Sequence, residues 1–310
     1  MPTFDLVVVG SGGGPHETNL SSYLFKPCDT EWKDGIIALE AGSGIGTLHQ
    51  LLTRDETLFN DLSSYQVYSL IHCFLISHAH LDHVNGLILS AGALHGHRKR
   101  VCASLHALKS LETIFADRIW PNLASWDAND AVYKLLYDPL KFDDENYRTI
   151  FRDVSVRAMP VLHGKNDTLG DYESSAFFIR YDPSGKEFLF FGDVSPDSLT
   201  SQPQTIAVWR AAARKIPNTL STIFIECSWP VGRPDELLYG ISAPSTSWTS
   251  LPHSRLRRLE RKYSKPIYHV IRDQVKALVQ KKGLGAEVLS AEQGMTIMEI
   301  TLLRRTSLAI

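Results

Sequence analysis

His78, His80, Asp82 and His83 fall within six residues, in the string Ser77-His78-Ala79-His80-Leu81-Asp82-His83. Neutral imidazole nitrogens and carboxylate oxygens are the usual ligands of zinc and similar divalent ions. Histidines on a loop are usually just solvated, and 12 of them in 310 residues need no explanation as a total. Four such groups crowded together do, because unpaired they would set polar and chargeable side chains side by side at a free-energy cost. The pattern predicts a metal site.

The neighbouring residues supply the elements that would hold it. The apolar run over residues 70–76 reads as a buried strand, and Val84, Leu87, Ile88 and Ala91, three and four apart, read as one face of a helix. The ligands therefore sit on a turn between a strand end and a helix start, where a rigid scaffold can aim them. Residues 4–9 are a further strand, followed by Gly10-Ser11-Gly12-Gly13-Gly14-Pro15. Pro15 stands where a dinucleotide loop needs its third glycine, and residues 19–25 alternate like a strand, so a β-hairpin with a wide glycine turn is expected. Residues 35–39 form a third strand ending in Glu40-Ala41-Gly42, residues 47–58 a helix, residues 100–104 a strand and residues 106–115 a helix, an order of βαβα. His95, His97 and His106 have no ligand spacing to the main cluster and read as surface or cap histidines.

Residues 120–146 read as irregular, either a lid over the site or a solvated loop. Strands follow at residues 154–160, 175–181 and 187–191, with His163 at a strand end before a polar loop and Asp193 in a Gly-Asp turn. Taken singly, these two read equally as turn residues. A helix over 204–215, a strand over 222–227, a helix over 254–263, a short strand over 266–271 containing His269, and strands at 287–289 and 296–302 complete the chain.

Composition narrows the function class. With 32 basic against 34 acidic residues, the formal net charge of -2 does not suit binding of nucleic acid by bulk charge. The basic run Arg255-Leu256-Arg257-Arg258 with Arg261 and Lys262 reads as the wet face of a helix. Cys28, Cys73, Cys102 and Cys227 form no C-x-x-C pair; Cys73 and Cys227 fall in apolar strand-like runs, as buried thiols in a reducing compartment would. No signal-peptide pattern opens the chain and no apolar run reaches the ~18 residues of a membrane span. A cytoplasmic protein with a single domain over residues 1–310 is expected.

His78-Ala79-His80-Leu81-Asp82-His83 resembles the H-x-H-x-D-H signature of the metallo-β-lactamase superfamily. The continuation Val84-Asn85-Gly86-Leu87-Ile88, and the opening Gly12-Gly13-Gly14-Pro15 with Asn19-Leu20, resemble more narrowly the class II cyclic-nucleotide phosphodiesterases. This implies an α/β fold, the metallo-β-lactamase-like αββα sandwich. It implies seven ligands, His78, His80, Asp82, His83, His163, Asp193 and His269, holding two divalent ions, with zinc the expected metal. By the family pattern His78, His80 and His163 hold one ion, Asp82, His83 and His269 the other, and Asp193 bridges them. Asp82 and Asp193 are accordingly the catalytic residues. A hydroxide bridging the ions would open a 3′,5′-cyclic nucleotide to a nucleoside 5′-monophosphate, a small-molecule reaction for which a homodimer is compatible but not required. Two other readings share the ligand loop. An RNA-processing enzyme of the tRNA 3′-end endonuclease type needs a basic surface and an RNA-gripping arm. A glyoxalase II-like thioester hydrolase lacks the Gly-Gly-Gly-Pro opening and Glu226-Cys227-Ser228. A binding protein without catalysis would not need all seven ligands.

The chain departs from the family at one place. Class II phosphodiesterases usually carry a Gly-His-Leu-Thr/Ser-Pro string, and the matching stretch here is Gly240-Ile241-Ser242-Ala243-Pro244. Isoleucine has no proton to donate to a leaving oxygen, a contribution typically worth about 10²–10⁴ in rate. Either metal stabilisation of that oxygen or His253 would have to make good the loss. Activity on cyclic nucleotides is therefore predicted to be present but impaired, with Ile241→His raising kcat at unchanged metal content. A fast wild type that Ile241→His slows would show that the proton comes from elsewhere.

Overall fold

Valines at positions 7, 8 and 9 favour extended backbone, and β1 (Phe4–Gly10) pairs antiparallel with β2 (Ser22–Pro27), so the expected hairpin with its wide glycine turn is present. The structure, a computed structural model, describes residues 3–142, 145–166, 170–200, 202–227, 267–283, 285–297 and 307–309. They divide into two compact units: one within Met1–Ala158, Ile179–Gly185 and Ala291–Thr301, the other within Met159–Phe178, Lys186–Ser290 and Leu302–Ile310.

After the hairpin come β3 (Ile36–Leu39), α1 (Ile45–Arg54), α2 (Ser64–Ser69), β4 (Ile71–Leu75), α3 (Leu81–Ser90), β5 (Lys99–Ser104), α4 (Leu105–Ile114), β6 (Ala124–Ser125), β7 (Leu135–Leu140) and β8 (Arg148–Phe151). Then follow β9 (Val154–Asn166), β10 (Gly170–Tyr181), β11 (Lys186–Phe191), α5 (Thr205–Ala213), β12 (Leu220–Phe224), α6 (Ile267–Lys281), β13 (Glu287–Leu289), β14 (Thr296–Ile297) and β15 (Ser307–Ala309). An eight-stranded sheet has the order β14-β1-β2-β3-β4-β5-β7-β6, and a seven-stranded sheet the order β13-β15-β12-β11-β10-β9-β8.

In the first sheet β3, β4, β5, β7 and β6 run parallel, joined by helical crossovers. Alternate strand residues Ala38, Phe74, Ile76, Val101, Ala103 and Leu135 pack in one core with Leu48 and Leu51 of α1, Val84, Leu87 and Ile88 of α3, and Leu108 and Leu111 of α4. The spacing read for α3 is thus the buried face of that helix. Parallel strands point their carboxyl ends to one edge, which is where open α/β sheets place their ligands.

Three expectations need correction. Residues 120–146 are not irregular throughout: β7 lies inside the sheet between β5 and β6, burying Leu135, Tyr137 and Leu140. Asp138 and Pro139 hid it. Arg100 Nε pairs with Asp138 at 2.6 Å and Arg148 meets its other oxygen, while Pro139 lies past the two residues bonded to β6. Residues 267–271 are not a strand but the start of α6; Ile267, Val270, Ile271, Val275, Leu278 and Val279 recur at helical spacing, with Val270, Ile271 and Val279 buried. Cys227 is half-buried and follows β12 rather than lying in it. The expected helix over 254–263, the basic run from Arg255, and Ile241 and His253 lie outside the described residues. Among the described residues no helix is long and apolar enough to cross a membrane.

His72, on β4, stacks on His97 at 3.8 Å between ring centroids and touches Phe151, with Lys99 close by. Burial, then the charges of His97 and Lys99, push the His72 pKa down from 6.5 to about 4. The unfolded chain then takes up this proton first. The stability His72 contributes is full above pH 6.5 and is lost as pH falls toward 4. In chelator, the denaturant midpoint of His72→Phe should fall less than that of wild type across this window, and parallel curves would count against the assignment.

Candidate metal centre

β4 ends at Leu75, and Ile76 stays in register through its N–H to Cys102 O at 3.0 Å. The chain then leaves the sheet. His80 takes the N-cap position of α3 with extended backbone, φ -69° and ψ 149°, which puts His78 and His80 before the helix and Asp82 and His83 in its first turn. The ring of His78 lies 4.6 Å from that of His80 and 4.2 Å from that of His83. Ligand atoms of His78 and His80, and of His78 and His83, lie within 4.8 Å of one another. His78 and His83 are 3% and 1% exposed, and His80 and Asp82 are half-buried. The structure therefore brings the four predicted residues together.

Two residues behind them were not singled out from the sequence. Ser77 Oγ lies 2.9 Å from His78 Nδ1, so with a proton on Nδ1 the hydroxyl accepts and Nε2 carries the lone pair. Glu40, fully buried just past β3, accepts from the Ser77 N–H at 3.2 and 3.3 Å, and its Oε2 is 3.6 Å from His83 Nδ1. Asp82 Oδ2 lies 3.7 Å from the other nitrogen, His83 Nε2. A carboxylate directly behind a buried strand was the available signal for Glu40.

The turn carrying Glu40 is welded to the ligand helix. Ala41 N–H donates to His83 O at 2.7 Å, Gly86 N–H to Gly42 O at 2.8 Å and Leu87 N–H to Ala41 O at 3.1 Å. A Cβ on Gly42 would stand 1.9 Å from Asp82 O, and one on Gly86 2.5 Å from the carbonyl carbon of Ser43. Only glycine lets the two backbones approach this closely.

The second unit holds the other predicted residues. His163 does not end its strand: β9 continues through Gly164, which takes φ 69°, to Asn166. Glycine there lets the strand run on through residues that read as loop. Asp193 does follow the end of β11, as expected. His163 Nε2 lies 3.3 Å from Asp193 Oδ2, and the two residues are 3% and 1% exposed. Ser195 fastens them: its N–H donates to Leu162 O at 2.7 Å, and its Oγ accepts from Gly164 N–H at 2.8 Å. His269 is half-buried in the first turn of α6.

The donor set of these residues fits divalent metal: buried or half-buried imidazole and carboxylate, with Ser77 and Glu40 placed to hold imidazole tautomers with a free nitrogen. Structural likeness agrees. The crystal structure of unliganded yeast PDE1 superimposes with a TM-score of 0.76 at 21% identity, over 92% of this chain and 96% of that one. The metallo-β-lactamase fold protein YhfI from Bacillus subtilis does so with 0.51 at 13% identity, over 79% of each. The fold is that of the metallo-β-lactamase proteins, as expected. A 3′,5′-cyclic-nucleotide phosphodiesterase of Schizosaccharomyces pombe is 31% identical over 263 residues, covering 78% of this chain and 72% of its own. The family model of class-II cAMP phosphodiesterases matches residues 49–292. The chain belongs to that family.

Gly42→Ala forces the Glu40 turn off α3 and is predicted to destabilise the protein by about 1–3 kcal/mol and to weaken divalent-metal uptake with it. Denaturant unfolding and metal titration of the variant check both, and wild-type values in each would show the contact to be slack.

Proposed function

We propose that this chain hydrolyses 3′,5′-cyclic nucleotides, cyclic AMP among them, to nucleoside 5′-monophosphates, ending a cyclic-nucleotide signal in the cytoplasm, with residues 1–310 acting as one domain. The observation that carries the reading is that the family match over residues 49–292 contains all seven predicted ligands. His78, His80 and His163 are assigned to one divalent ion, Asp82, His83 and His269 to a second, and Asp193 to both, with zinc the expected metal. When bound, such a pair stabilises charge on phosphoryl oxygens and acidifies water near neutral pH.

The protein's own part is to hold donors in place. Ser77 keeps His78 turned so that one nitrogen is free, and Glu40 faces His83 from behind. Asp193 stands against His163, its turn pinned by Ser195, so its carboxylate is held where it can be shared. Asp82 is in the first turn of α3, where the helix dipole favours a carboxylate. Oxygen and nitrogen ligands on two cations neutralise an anionic diester without a basic surface. That suits a chain of net charge -2 and a small substrate rather than RNA.

One assay tests the reading: purified protein with cyclic AMP, cyclic GMP, a bis-aryl phosphate and a thioester, each with and without chelator. Cyclic nucleotides should be turned over and chelator should stop it; thioester turnover without cyclic-nucleotide turnover would overturn the reading. Asp193→Ala should lose activity by several orders of magnitude and loosen both metals, whereas Asp82→Ala should empty mainly one site. A turn aspartate of purely structural importance would lose about 1 kcal/mol of stability and little rate.

A further inference from the structure

We infer that Glu40 is a positioning residue that couples the two metal positions. It touches His83 directly and reaches His78 through Ser77, so that one buried carboxylate sets the orientation of a ligand to each ion. The inference rests on the two-ion reading above and adds a residue that stands behind both ions.

The backbone supplies the first sign. Glu40 has φ 53°, in the left-handed region that residues with a Cβ seldom occupy. Its neighbours leave it little choice of position, since Glu40 N–H extends the β3–β4 ladder to Leu75 O at 3.0 Å and Ala41 N–H is bonded to His83 O. Strain of this kind persists where surrounding structure enforces it, and it clusters at functional sites. The conformation aims the side chain inward under the ligand loop.

Burial supplies the second. Glu40 is 0% exposed, and an ionised carboxylate there needs compensation. Its described neighbours are the Ser77 N–H on both oxygens and His83 Nδ1 at 3.6 Å. That last distance is charge contact rather than a hydrogen bond. A carboxylate at Nδ1 favours the tautomer with the proton on Nδ1, which leaves the Nε2 lone pair on the Asp82 side. Ser77, held by its N–H on Glu40, presents Oγ to His78 Nδ1 at 2.9 Å and selects the same tautomer there. The line His83, Glu40, Ser77, His78 is continuous, and the reading above puts its two ends on different ions.

The consequence is a split between two variants. Carboxylates and hydroxyls behind metal-ligating histidines typically contribute about 10–100-fold in metal affinity. Glu40→Gln keeps the shape and an acceptor for the Ser77 N–H but removes the charge. It should weaken both ions by about that factor. Ser77→Ala leaves Glu40 facing His83 and should weaken only the ion held by His78. The experiment is competitive Zn²⁺ titration of chelator-treated full-length protein, repeated with Co²⁺ so that its absorption bands report ligand geometry. Thermal unfolding of the metal-free proteins accompanies it. The expected result is two weakened ions and altered Co²⁺ bands in Glu40→Gln, and one weakened ion in Ser77→Ala. A lowered metal-free melting temperature with both affinities unchanged would make Glu40 merely structural and overturn the inference. If Glu40→Gln does not fold, equal loss at both ions or at neither in Ser77→Ala overturns it instead. A wild type that takes up no divalent ion would sink the two-ion reading and this inference together. Two ions bound equally well by all three proteins would sink the inference alone.

Discussion

Imidazoles crowded at the edge of a buried sheet cannot all be hydrated, and the surroundings of residues 76–87 are arranged around that constraint. His78 and His83 are almost wholly removed from water with their rings in contact. Such groups stay put only if their backbones do, because a long tether would let them swing out to solvent. The parallel pair β3 and β4 provides the short tether. One strand delivers the Glu40 turn and the other the ligand loop to the same edge, with Glu40 N–H bonded to Leu75 O at their junction. Three further backbone hydrogen bonds join that turn to α3, and Gly42 and Gly86 have no side chain in the way. Ligand geometry is then set by main chain rather than by rotamer choice, which is how a site is made ready before its ligand arrives.

The second unit meets the same demand by a different route. His163 lies within a long strand and Asp193 just past the end of another, two positions with no sequence proximity. Ser195 bonds to β9 on both sides of His163, through Leu162 O and Gly164 N–H. In each unit a small hydroxyl residue next to a ligand fixes the local geometry: Ser77 beside His78, Ser195 two residues past Asp193. Serine suits the task because its side chain is short enough to reach backbone at little entropic cost.

How much of this was legible in the residues depended on whether the signal was local. The ligand loop, β4 and α3 could be read because ligand types, apolar run and helical spacing occupy one stretch of about twenty residues. Asp193 could be placed at the end of β11 because an apolar run stops at Gly192. The misses have long-range causes. β7 looks broken at Asp138, yet Arg100 on one neighbour and Arg148 further on neutralise that carboxylate, a fact no window around Asp138 contains. His163 was read at a strand end because Gly164, Lys165 and Asn166 look like loop, while β9 runs through them. α6 is a different kind of miss. Its apolar spacing was in plain view, but Pro266 and the β-branched Ile267, Val270 and Ile271 were weighed as a short strand before the pattern was followed to Val279. Glu40 was visible only as a turn residue, since its φ and its partners come from the fold.

The chemistry is also shaped by what the ligand clusters leave out. No cysteine lies among the residues that form them, although the chain has four. Cys73 and Cys102 are buried on β4 and β5, Cys102 with its Sγ 3.7 Å from Asp138, and Cys28 is bonded to Asp5 at 3.2 Å. Thiolates would select softer ions and favour the closed tetrahedral sites of structural zinc. Imidazole and carboxylate leave a divalent ion more strongly electron-poor and better able to polarise an oxygen of substrate. A centre of that kind relies less on proton donors from the protein, because the cation itself can stabilise a departing oxygen. It is the arrangement in which an isoleucine at position 241, with no proton to give, is least damaging to hydrolysis.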